Sequence, residues 1–200
     1  IAVSEFDSVT YHQFETALED LEKQGMKGLV IDLRNNPGGN FDTVTDMLKL
    51  LLPEGVIVST KDKEGNVEEV TCDGANEFDK PLAVLVNQYS ASASEIFAGG
   101  ILGTSSGIVI GTRSYGKGVA QVLFDESNCP YLHGDAVKVT AYRFYCAGGN
   151  TTDRIGVIPT LFLPQAQAAA AARLLSGEKT KDGEYLHLVL NGCDFYIDIP

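Results

Sequence analysis

Hydrophobic spacing changes period several times along this chain, and each change marks an element. In "TYHQFETALEDLEKQG" the residues Phe14, Leu18 and Leu21 recur at helical intervals. Thr10 with Gln13 three residues on forms a capping-box pattern, and Gly25 suits a helix stop. The run "GLVIDL" is short and mostly apolar, as expected of a strand buried on both faces. After the turn "RNNPGGN", Asp42 is placed to cap a second helix, "TVTDMLKLLL", which Pro53 closes. "VIVSTKDKEGNVEEV" reads as a hairpin over Glu64, Gly65 and Asn66. Then follow a buried strand "LAVLVN", a helix "SEIFAGGILG" and a strand "GIVIG". "GVAQVLFDE" and "AVKVTAYRFY" predict a long antiparallel pair, and "QAQAAAAARLL" a late alanine-rich helix. At the ends, "IAVSEF" reads as a strand and "YLHLVLNGCDFYIDIP" as a hairpin turning at Asn191-Gly192.

Buried strands that alternate with helices predict an α/β core with a largely parallel sheet. The chain has 200 residues, of which 44% are hydrophobic, enough for one domain with a sizeable core. No apolar run approaches the ~18 residues of a membrane span. Acidic residues outnumber basic ones by 27 to 15, a formal charge of −12. That balance argues against nucleic acid, because phosphate binding needs clustered Lys and Arg. The first residue is Ile1 and no signal-peptide pattern stands there, so targeting information is expected to lie outside this chain.

Three segments hold residue types suited to chemistry. The first is "NQYSASASEIFAGG", where Ser90, Ser92 and Ser94 stand at the start of a helix. A serine there can cap the helix. It can also act as a nucleophile beside the free N–H groups and positive end of the helix dipole. The second is "GTRSYGKGVAQ", with Lys117 between Gly116 and Gly118. A lysine can serve as base if burial lowers its reference pKa of about 10.4 by several units. Read alone, it is a solvated lysine in a glycine-rich turn. The third is "DLRNNPGG", whose consecutive glycines can aim backbone N–H groups into a cleft. None of the histidines His12, His133 and His187 lies in a strong motif. Cys72, Cys129, Cys146 and Cys193 form no C-x-x-C pair, which disfavours zinc. Two disulfides or buried free thiols both fit their spacing.

Together "GLVIDLRNNPGG", "VLVNQYSASASEIFAGGI" and "GTRSYGKGVAQ", in this order, resemble the carboxyl-terminal processing or tail-specific proteases of the S41 peptidase family. The resemblance runs over residues 1–164 as a protease core, leaving 165–200 as a helix and hairpin extension. It implies a Clp protease/crotonase-like α/β core. It implies Ser92 as nucleophile, Lys117 as base and Gln121 as the residue that orients the lysine. The implied oxyanion donors are the backbone N–H groups of Ala93 and, from the Pro-Gly-Gly turn, Gly38. No metal, nucleotide or other cofactor is needed. Implied substrates are proteins or peptides, cleaved near the C-termini of unfolded or flexible chains. The implied setting is the cell envelope or the extracellular space. Members carry a PDZ domain, and none is visible between Ile1 and Pro200; the resemblance leaves room for one upstream and for an oligomer. The segment "FDESNCPYLHGDAV" is longer than the family's usual hairpin connection. On the same core, retinoid-binding proteins act as non-catalytic carriers and crotonase-like enzymes act on acyl-CoA. The complete set of Ser92, Lys117 and Gln121 favours the protease.

Overall fold

A computed structural model describes residues 1–163 and, beyond them, the backbone of two strands. Helix α1 spans Thr10–Lys23. Its expected cap is displaced. Thr10 lies inside the helix, and Asp7 Oδ1 accepts the N–H groups of Val9 and Thr10 at 3.0 Å each. Thr10 Oγ1 also donates to that carboxylate at 2.8 Å, and these donors hold Asp7 below the usual carboxylate range. Strand β1, Leu29–Asp32, leads through the "LRNNPGGN" turn to α2, Phe41–Lys49. Here too the cap moves, from Asp42 to Asn40, whose side chain accepts Thr43 N–H at 3.0 Å. Asp42 instead lies in the first turn, where a negative charge favours the helix dipole.

Strands β2 (Gly55–Lys61) and β3 (Val67–Cys72) form the expected hairpin. Then come β4 (Leu82–Val86), α3 (Ala93–Gly103) and β5 (Ile108–Gly111). The long pair is β6 (Val119–Phe124) with β7 (Val137–Cys146), and β8 is Leu161–Phe162. Strands β9 (Tyr185–Leu190) and β10 (Cys193–Asp198) pair antiparallel, as the terminal pattern predicts. The expected alanine-rich helix and the Asn191-Gly192 turn lie outside the described residues.

Two sheets organise the body. One is parallel throughout, in the order β1-β4-β5-β8. The other runs β3-β2-β7-β6 and is antiparallel. The N-terminal segment is extended and joins by isolated parallel bridges, Ala2 to Asp32 and Phe6 to Gly39. Strand β1 is not buried on both faces as its apolar run suggests. Leu29 and Ile31 point into the core, while Val30 is 52% exposed. The apolar run misleads because burial alternates along β1 and its outward face is left open.

Helix α3 is the central element. Ala93 to Ala98, Gly100 and Ile101 are all buried, as expected of a helix packed on several sides. Phe97 meets Phe6 and Phe14 at ring separations of 6.2 and 6.4 Å. Its glycines admit neighbours closely. A Cβ on Gly103 would overlap the Ala147 carbonyl, and one on Gly99 would overlap Cys146 Sγ. Strand β7 pairs with β2 only from Arg143 to Cys146. Beyond that point β6 and β7 continue as a two-stranded arm, on which Leu123, Phe124, Val137 and Val139 are exposed.

The packing at Gly103 sets two effects against each other. Alanine gains about 1 kcal/mol of helix propensity over glycine. Overlap with a fixed backbone carbonyl costs about 1–3 kcal/mol. We expect the steric term to prevail, so that Gly103→Ala lowers Tm by a few degrees in a calorimetric scan. A higher Tm would mean that the Ala147 segment yields freely.

Candidate active site

The three serines of the "SASAS" segment have different surroundings. Ser90 is fully buried: its Oγ donates to Leu33 O at 2.7 Å and accepts Asn87 N–H at 2.9 Å. Ser94 is also fully buried and donates to Asn36 O at 3.0 Å. Both hydroxyls are spent in fastening the helix start to the turn after β1. Ser92 alone is half-buried rather than enclosed. It stands at the N-cap of α3 with φ 56° and ψ −113°, inside the left-handed range that disfavours a residue with a Cβ. Such a conformation costs about 1–3 kcal/mol and persists only where neighbours impose it.

Glu95 is one of those neighbours, and the sequence did not single out its reach. Its side chain is completely buried on the first turn of α3. Oε2 accepts the N–H of Ser92 at 2.9 Å and the N–H of Lys117 at 2.8 Å. Oε1 accepts Ser114 Oγ at 2.6 Å and Gly116 N–H at 2.7 Å. One carboxylate therefore holds the serine's backbone and the lysine's backbone on a single oxygen. Burial pushes the Glu95 carboxyl above its ordinary range, against the four donors, which pull it down. The only sequence signal was its place three residues after Ser92, a capping-box spacing; nothing in "GTRSYGKG" marks that loop as its second partner.

The lysine loop, residues 112–118, is clasped from the other side as well. Ser114 N–H donates to Val157 O at 3.2 Å, and Arg154 N–H to Gly116 O at 2.8 Å. Gly118 approaches Asp153 so closely that any Cβ would overlap its backbone. Lys117 itself departs from expectation. Its side chain is half-buried, not enclosed by apolar neighbours. Nζ donates to Gln121 Oε1 at 3.4 Å, a long bond, and Gln121 is exposed on β6. No direct hydrogen bond joins Ser92 to Lys117 among the described residues.

The Pro-Gly-Gly turn lies against the serine. A Cβ on Gly38 would come within 2.6 Å of Ala91 O, 2.8 Å of Ser92 Cβ and 2.9 Å of Ala93 N. With φ +104° as well, only glycine fits there. The expected donor from this turn requires correction. Gly38 N–H is taken by Asn36 Oδ1 at 2.8 Å. Asn36 is fully buried and also donates to Val3 O, so its side chain is fixed. Gly38 O accepts Phe6 N–H at 3.0 Å. In a trans peptide the next N–H points the opposite way, so Gly39 N–H is directed away from the Phe6 strand. Neither Gly39 N–H nor Ala93 N–H has an acceptor among the described residues. Arg34 anchors the start of this turn through Asp32, with Nε 2.9 Å from Oδ1, and its guanidinium holds Asp32 below the usual carboxylate range. His12 lies on α1 and His133 near the tip of the β6–β7 arm, both remote from this site.

Residues 1–162 match the family model described as Peptidase family S41. The chain is 38% identical over 159 residues to the carboxyl-terminal-processing protease of Synechocystis sp., covering 80% of this chain and 36% of that one. It is 31% identical over 202 residues to the carboxy-terminal processing protease CtpB of Bacillus subtilis, covering 98% and 41%. A solved structure titled photosystem II D1 C-terminal processing protease superposes with a TM-score of 0.72 at 35% identity, covering 82% of this chain and 41% of that one. The chain thus spans well under half the length of these relatives.

Glu95→Gln tests the shared carboxylate. An amide places an NH₂ where one oxygen stood, so two of the four donors then face a donor. Each buried group left unpaired costs about 1–3 kcal/mol. The variant should fold but lose at least about 2 kcal/mol in urea denaturation. Unchanged stability would mean that the four bonds carry no net weight.

Proposed function

Because the chain belongs to the S41 peptidase family, we propose that it is the core of a serine endopeptidase that uses Ser92 as nucleophile and Lys117 as base. The observation that carries this reading is the common anchorage of the Ser92 and Lys117 backbones on Glu95 Oε2. Both backbones are thereby fixed relative to one carboxylate, which constrains where the serine hydroxyl and the lysine amine can meet. Gln121 accepts a hydrogen bond from the amine through its side-chain carbonyl, an orienting role.

Hydrolysis then proceeds by two acyl transfers. Lys117, once deprotonated, takes the proton of Ser92 as Oγ attacks the peptide carbonyl. The negative oxygen of the tetrahedral intermediate is held by Ala93 N–H and by Gly39 N–H, the amide of the turn that is not already occupied. Gly38 gives the close approach that brings this turn beside Ser92. Lys117 passes the proton to the departing amine, and water, activated in turn by Lys117, releases the acyl group. Removing one oxyanion donor in such a site typically costs roughly 10²–10³ in turnover. Substrates are unfolded or flexible polypeptides cut near their C-termini, and the setting is the cell envelope or the extracellular space.

The nucleophile is tested by two serines. Ser92→Ala should abolish cleavage of an unstructured protein and labelling by a fluorophosphonate, with Tm nearly unchanged. Ser90→Ala retains Ser92 and should still be labelled, though it loses two buried hydrogen bonds and therefore some stability. Labelling that survives in Ser92→Ala would sink the assignment.

The base is tested by Lys117→Arg. The charge and the approximate reach are kept, but a guanidinium does not release its proton in the working range. The variant should fold and show no turnover on the same substrate. Turnover near that of the parent would exclude a lysine base.

A further inference from the structure

We propose that Ser114 is a positioning residue for this reaction, a hydroxyl latch that binds the lysine loop to the helix carrying Ser92. The inference rests on the reading of Ser92 and Lys117 as the reacting pair. Ser114 is buried, 5% exposed, so it meets no substrate. Its Oγ donates to Glu95 Oε1 at 2.6 Å and accepts Val157 N–H at 2.6 Å. Its own N–H donates to Val157 O at 3.2 Å. Three segments therefore converge on one residue: the first turn of α3, the lysine loop and residues 152–157.

The last of these segments is built for the approach. Gly156 has φ +73°, and a Cβ there would lie 2.6 Å from Ser114 O. Thr152 Oγ1 donates to Lys117 O at 3.4 Å, tying the same segment to the lysine. Of the four donors on Glu95, three are backbone N–H groups that no side-chain substitution removes. Ser114 is the one side chain among them.

Four donors on two oxygens match an ionised carboxylate, and charge-assisted bonds are roughly twice as strong as neutral ones. Burial works against that ionisation, while the Ser114 bond favours it. Among the described residues, Cys146 and Lys117 are titratable residues bonded to Glu95, Lys117 through its backbone N–H. Cys146 on β7 places Sγ 3.6 Å from Glu95 O, and burial pushes its thiol up to about 12, so it is neutral. Lys117 extends towards Gln121. Losing the hydroxyl therefore raises the Glu95 carboxyl further. The sign follows: the carboxylate is required to hold both backbones, so activity falls as pH drops through a folded-state value that now lies higher.

The test is the pH profile of kcat and KM on an unstructured fluorogenic peptide, for the parent chain, Ser114→Ala, Ser114→Cys and Ser114→Thr. Ser114→Ala should lower kcat about tenfold with KM little changed, the loss of one bond to a charged group. Its acid limb should move to higher pH. Ser114→Cys, which keeps the volume but offers only a weak donor, should shift the limb in the same direction even if the alanine variant folds poorly. Ser114→Thr should restore both kcat and limb. An acid limb that stays in place in the folded Ala or Cys variant, or a threonine variant as impaired as alanine, overturns the latch. If instead Ser92→Ala retains cleavage in the same assay, the underlying dyad has failed rather than the latch.

Discussion

A single buried carboxylate fastens the serine turn to the lysine loop. Glu95 accepts four hydrogen bonds, and they come from two segments more than twenty residues apart in sequence. A carboxylate withdrawn from water is stable only when its lone pairs are filled, and here the serine turn and the lysine loop fill them. Desolvation thus does positional work. The energetic demand of one side chain becomes a geometric constraint on the serine turn and the lysine loop together.

The rest of the fold makes that burial possible. Helix α3 has polar contacts at its first turn and apolar packing behind it, where Phe97, Phe6 and Phe14 close the core. Small residues let other backbones come near: Gly38 against Ser92, Gly99 and Gly103 against the end of β7. The left-handed φ of Ser92 is held in place by the Ser90 and Ser94 hydroxyls on either side of it and by Glu95 beneath. Rigidity is concentrated behind the serine, and exposure in front of it.

Much of this was legible in the chain itself, for identifiable reasons. The order of strands and helices followed from periodicity, while Ser92, Lys117 and Gln121 were implied by the resemblance of three motifs to the S41 family rather than by spacing. Other features depend on contacts that spacing does not encode. The caps at Asp7 and Asn40 displaced Thr10 and Asp42 because a helix is capped by whichever side chain the incoming loop presents, not by the best local match. Val30 lies exposed because an apolar run does not reveal that one face of its strand is left open. Gly38 looked like an N–H donor, but Asn36, two residues before it, folds back to take that N–H. The half-exposed Lys117 and the double partnership of Glu95 are tertiary facts in the full sense.

The two-stranded arm formed by β6 and β7 gives the site an uneven mechanical character. Lys117 lies at its root, where the chain is pinned to Glu95, while Gln121 pairs with Thr140 beyond the last support from β2. A two-stranded ribbon on its own is only marginally stable in water, and such regions open at a small fraction of the global unfolding free energy. The arm can therefore fray from its tip inwards, releasing the glutamine while the lysine's backbone stays where it is. The Lys117 side chain then loses its acceptor while its backbone N–H stays on Glu95, so the slack lies on one side only.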